Sequence, residues 1–175
     1  MVKRSIGLRG YIGEAIVEQW LTYRYPDSED YSIKKQIMPK GVEKCGGPYL
    51  DFGILKSGKV EKVYEVKTQD YRVTTLNKSL KYIWDNEGEI TAFEVQYEGE
   101  YPASPNVEAF LISLKEPDFG KIGISPEFKN NVISFEEIFG EANFQLNRKM
   151  IKYDFLKDFD DEINSLKKFT YCWRH

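Results

Sequence analysis

The sequence predicts an α/β domain, and three observations carry that prediction. Apolar residues recur at helical spacing between residues 10 and 25, and again between 76 and 84. Two segments with period-two alternation, "YLDFGIL" at 49–55 and "VEKVYEVK" at 60–67, flank the tight turn "KSGK". Further alternating or apolar stretches follow at 90–97, 107–114 and 131–135.

The first helix is read over 10–25, "GYIGEAIVEQWLTYRY". At 100° per residue Ile12, Ile16, Val17, Trp20, Leu21 and Tyr23 cover about half of the wheel. Glu14 falls just beside that arc, next to Leu21, and Glu18 lies further out. Pro26-Asp27 closes the helix. Glycines 7, 10 and 13 are spaced by three and do not make the dinucleotide-binding G-x-G-x-x-G pattern; they are read as permitting close packing or a bend before the helix. "YSIKKQIM" at 31–38 reads as a strand and 40–48, rich in Gly and Lys, as a loop. In 49–55 Leu50, Phe52 and Ile54 form an apolar face, with Asp51 on the other. The 60–67 segment pairs with it as a hairpin.

Leu76, Leu80, Ile83 and Trp84 place a second helix over 74–85. Phe155, Leu156, Phe159, Ile163 and Leu166 place a closing helix over 152–169. The acidic run at 158–162 lacks calcium-loop spacing and reads as a solvated helix face. Tyr11 and Trp84 read as packing residues, with base stacking as the alternative.

A chain of 175 residues with 41% hydrophobic and 30% charged content suits one soluble domain with a sizeable core. No apolar run approaches the roughly 18 residues of a membrane span, and the basic start lacks the apolar stretch of a secretory signal. Cys45 and Cys172 make neither a disulfide framework nor a zinc motif, so the expected compartment is the reducing cytoplasm. The single histidine, His175, is the final residue of the sequence, which removes Ser-His-Asp, Cys-His and histidine-zinc chemistry. Acid–base or metal chemistry must then rest on carboxylates and lysines. Residues 1–81 carry a net +5 and residues 82–175 a net −8, which is compatible with a local phosphate-binding face or with uneven surface charge.

"YEVKTQD" at 64–70 sharpens the question. Alternation puts Val63, Glu65, Lys67 and Gln69 on one strand face, and Tyr64, Val66 and Thr68 on the other. If the apolar faces of the hairpin meet the core, Asp51, Glu65 and Lys67 project together on the opposite side. Two close carboxylates repel unless something neutralises them. A hard divalent cation with oxygen preference does so.

This set resembles the PD-(D/E)xK nuclease superfamily, the restriction-endonuclease-like fold. The matching residues are Glu14 in "GEAIVEQWL", Asp51 in "YLDFGIL", and Glu65 with Lys67 in "YEVK", and they span roughly residues 7–85. A second literal match, Pro117-Asp118 followed by Glu127-Phe128-Lys129, is set aside because Pro126, Gly120 and Gly123 argue against a core strand there. The resemblance implies a central mixed β-sheet flanked by helices and metal-assisted phosphodiester hydrolysis. Asp51, Glu65 and the Val66 carbonyl would hold Mg²⁺, or Mn²⁺ in its place, with Glu14 binding directly or through water. Lys67 would orient the nucleophile or stabilise the transition state. DNA is the first expectation for substrate and RNA the second, with a homodimer compatible with cutting two strands. Gln69, Lys40, Lys44, Arg4 and Arg9 are candidate substrate contacts, with capping of the strand end as the equal alternative for Gln69. Two alternatives stay open. One is a nuclease-like fold that binds nucleic acid or a protein without turnover. The other is a purely structural role for the four residues.

Overall fold

The computed structural model describes residues 2–42, 48–68, 76–114, 116–151 and 164, with side chains from Arg9 onward. The expected closing helix over 152–169 with its acidic run, residue 164 apart, both cysteines, and the candidate contacts Lys44 and Gln69 lie outside the described residues, as does the side chain of Arg4. Helix α1 (Val2–Arg24) leads into β1 (Tyr31–Pro39), β2 (Leu50–Lys56) and β3 (Lys59–Lys67). Helix α2 (Lys78–Asp85) precedes β4 (Ala92–Val95) and the long β5 (Gly99–Ser113). A short helix α3 (Phe119–Ile122), a 3₁₀ turn at Pro126–Asn131, β6 (Val132–Ser134) and α4 (Phe135–Gly140) follow.

The sheet is mixed, as expected, but it curls into a ring. β3, β2, β1, β4 and β5 pair in that order, and β5 also pairs with β3 in parallel, which closes five strands on themselves. β6 adds to β5 in parallel outside that ring. β5 makes closure possible by changing partner along its length. Its first residues pair with β4, Pro102 opposite Ala92, and its later ones with β3, Ala109 opposite Val63.

Each strand of the ring sends side chains to one buried cluster that includes Ile37, Leu55, Val63, Phe93 and Leu111, so this cluster fills the interior; Leu80, Ile83 and Trp84 of α2 pack into it. Trp84 is a packing residue, stacked on Phe128 at 5.0 Å, with its indole N–H donated to the Ala109 carbonyl. The outer face of β2, β3 and β5, with Phe52, Ile54, Tyr64 and Ile112, packs against Ile12, Ile16, Val17, Trp20 and Leu21 of α1 and Phe135 and Ile138 of α4.

Several expectations need correction. Helix α1 starts at Val2, so Arg9 and the glycines lie within it rather than ahead of it. Tyr23 and Tyr11 belong to the exposed surface, not to the packed stripe. Leu50 joins the interior cluster, whereas Phe52 and Ile54 face outward to α1. Alternation fails there because the ladder to β3 ends at Phe52↔Tyr64, and Gln36, across from Asp51, takes φ +54°. The set-aside Asp118 caps α3 and Glu127 lies in the 3₁₀ turn, so neither is a strand residue.

Candidate active site

Tyr64 and Val66 face α1, as alternation requires, and Thr68 follows them into a buried position. Glu65 therefore takes the interior phase of β3 with Val63. That face is not open to solvent: it is covered at this end by the start of α2, and Glu65 is only 3% exposed. A carboxylate so placed needs partners. Its Oε1 accepts from Lys67 Nζ, and its Oε2 accepts from Asn77 Nδ2 at 3.1 Å. The Lys67 side chain remains 36% exposed, so its ammonium bridges the buried acid and the surface.

Asp51 reaches the same point from the neighbouring strand. Beyond Phe52 the β2–β3 ladder stops, and the Asp51 carboxylate takes the place of a backbone acceptor, receiving the Val66 N–H at 2.7 Å. One hydrogen bond thus fixes the Asp51 side chain between the residues of the E-x-K pair. Glu14 approaches from α1, half-buried and within electrostatic reach of Asp51 and Lys67. Gly13, next to it, allows the helix to lie against Thr68, the residue after Lys67.

The electrostatics follow from this crowding. Burial, then the Asp51 charge, pushes Glu65 up to about 7, while Lys67 and Asn77 pull in the opposite direction. Burial, then Asp51, also pushes Glu14 up to about 7. Asp51 is raised by burial against the opposing pull of the Val66 amide and Lys67. These are acids that ionise reluctantly until a positive charge arrives.

Among the described residues no three His, Cys, Asp or Glu side chains are gathered into a metal-binding group. A cation here would have two carboxylates, Asp51 and Glu65, with backbone and water oxygens to complete its shell, a donor set that suits Mg²⁺. Of the candidate substrate contacts, Lys40 is ion-paired with Glu100 at 2.9 Å. Arg9 lies about 140° around α1 from Glu14, away from the site's side of the helix. Asn77 was not anticipated. It is the N-cap of α2, its Oδ1 accepting from Ser79 and Leu80 amides at 2.8 and 3.3 Å while its Nδ2 holds Glu65 and the Tyr49 carbonyl. An Asn directly before an apolar helical repeat is a capping signal visible in "NKSL".

A cavity of about 760 Å³ adjoins the cluster, sharing Glu14 and lined also by Phe52, Tyr11, Lys35 and, from the later chain, Asn143, Phe144, Gln145, Asn147, Met150 and Ile151. No helix among the described residues is long and apolar enough to cross a membrane. Comparison with protein-family models, curated proteins and solved structures gave no match.

Proposed function

We propose that the protein is a metal-dependent nuclease with a restriction-endonuclease-like core, hydrolysing phosphodiester bonds, with DNA as the first substrate to try. The observation that carries this reading is the convergence of Asp51, Glu65 and Lys67, two strands' worth of charge at one end of a hairpin, with Glu14 arriving from α1. Helix, aspartate strand, E-x-K strand and second helix follow in the order of the resemblance. The ring closure through β3 and β5 goes beyond it.

Asp51 and Glu65 would hold a Mg²⁺ or Mn²⁺ ion with the Val66 carbonyl, and Glu14 would reach it through water. Such an ion would make water a better nucleophile and offset charge on the phosphate. The chain's own contributions are separate. The Val66 amide and Asn77 orient the two carboxylates, so little reorganisation is needed when substrate arrives. Lys67, partly exposed, places a positive charge where a scissile phosphate oxygen can meet it. Glu14, poised near neutrality, can take up or release a proton at the same mouth.

A structural reading draws on the fact that no buried side-chain nitrogen or oxygen among the described residues lacks a partner, so the cluster is already satisfied. One experiment separates the two. Supercoiled, linear, single-stranded and branched DNA, and RNA, are incubated with Mg²⁺, Mn²⁺ or EDTA, using wild type, Asp51→Asn and Lys67→Ala. Cutting that needs metal and fails in both variants is the expected result. Folded protein that neither cuts nor binds metal gives the site to structure.

A further inference from the structure

We propose that the cavity between α1 and residues 143–151 holds an unpaired nucleobase, making the substrate a single-stranded or locally unpaired nucleic acid; this rests on the nuclease reading above. The cavity begins where the candidate site ends. Glu14 belongs to both and lies within electrostatic reach of Asp51 and Lys67. A phosphate at Lys67 would therefore set its own nucleotide, or the next one, at the cavity mouth.

Size, charge and lining each favour a base. About 760 Å³ lies within the range of small-molecule sites. Among the described residues the lining side chains include Glu14 and Glu18 and one cation, Lys35, which is paired with Glu18 at 2.6 Å. Excess carboxylate repels phosphate and leaves room for the neutral part of a nucleotide. Tyr11, 44% exposed, offers an aromatic face at the mouth, and the amides of Asn143 and Gln145 can read a base edge.

The far wall is held to the helix. Gln19 Nε2 donates to the Asn147 carbonyl at 2.9 Å and Gln19 Oε1 accepts the Asn147 N–H at 2.8 Å, while the Tyr23 hydroxyl donates to the Ala142 carbonyl at 2.9 Å. A base can enter only after leaving its stack, which is least costly in single strands and mismatches.

The test is binding, measured apart from cleavage. Fluorescence anisotropy in Ca²⁺ would compare an oligonucleotide of about ten residues with its duplex and with an abasic strand of equal length. Wild type, Tyr11→Ala and Tyr11→Phe are used. The expected result is binding of the single strand about tenfold tighter than of the abasic strand, lost in Tyr11→Ala and kept in Tyr11→Phe. Equal affinity for the abasic strand, preference for the duplex, or indifference to Tyr11→Ala overturns the base pocket. Metal-dependent cutting under any of those outcomes leaves the nuclease reading standing. Tyr11-dependent binding without cutting by any metal keeps the pocket and removes the nuclease.

Discussion

Gly13 of α1 lies so close to Thr68, just past the end of β3, that a Cβ added to it would sit 2.0 Å from the Thr68 Cγ2. Their chain neighbours are Glu14 and Lys67, so this contact sets how near the helix glutamate comes to the strand lysine. Thr68 is buried, and the Phe135 ring, 3.4 Å from the same added atom, limits the room to adjust. Helix propensity alone would favour Ala at this position. Overpacking wins: Gly13→Ala is expected to cost about 1–3 kcal/mol in urea unfolding. Gly10→Ala, with nothing within 4 Å, is expected to gain about 0.5–1 kcal/mol. Adding Thr68→Ser should restore part of the Gly13→Ala loss, as a double-mutant cycle would read. Equal responses at Gly10 and Gly13 would mean that the helix does not press on Thr68.

Asn77 joins the second helix to the site. Its amide oxygen caps α2 and its amide nitrogen steadies Glu65. Asn77→Asp keeps the capping oxygen but removes both donors and brings a third carboxylate to a crowded place. The expected loss is about 1–3 kcal/mol at neutral pH, with Glu65 pushed further up. Asn77→Ser, which retains a cap without the charge, should lose less. If Asp and Ser behave alike in urea unfolding, the added carboxylate is not felt by Glu65.

Much of this was written locally. The stripe from Ile12 to Leu21, the Ser57-Gly58 hairpin and the order Glu14, Asp51, Glu65, Lys67 are short-range patterns, and short-range patterns survive without knowledge of the fold. Ring closure is different. Val63 meets Ala109 through a parallel pairing with no local signal, and β5 carries Pro102 and Pro105, which obscure its first half. Alternation also said that Glu65 and Lys67 share a face, but could not say that α2 would cover it. Leu50 departs from the alternation because a broken ladder and a left-handed Gln36 interrupt the period next to it.

Lys40 tests how far the basic loop serves a phosphate. Its ammonium is paired with Glu100 at a half-exposed position. Such pairs contribute about 0–1 kcal/mol. Lys40→Ala is therefore expected to leave the unfolding midpoint nearly unchanged. It should also leave the salt dependence of nucleic-acid binding unchanged, whereas loss of a phosphate contact would lower that slope by about one. A measured drop of that size would return Lys40 to the substrate.

The raised carboxyls give the metal-free protein an inverted pH response. Glu14 and Glu65 hold their protons up to about 7 in the fold, against an ordinary value of 4.5. Between those values the folded state binds more protons than the unfolded one, so the contribution of these groups to stability falls as pH rises through that window and is gone above it. In EDTA, Glu65→Gln should match wild type near pH 4.5 and exceed it by roughly 2–3 kcal/mol at pH 8, read as a difference in urea unfolding free energy. Mg²⁺ should close most of that gap. At a hundredfold excess over its dissociation constant it would add about 2.7 kcal/mol to wild type at pH 8 and far less to Glu65→Gln, because one of the two carboxylate ligands is gone. Parallel pH curves for the two proteins would show that Glu65 ionises freely in the fold, and a Mg²⁺ effect of equal size in both would place the cation elsewhere.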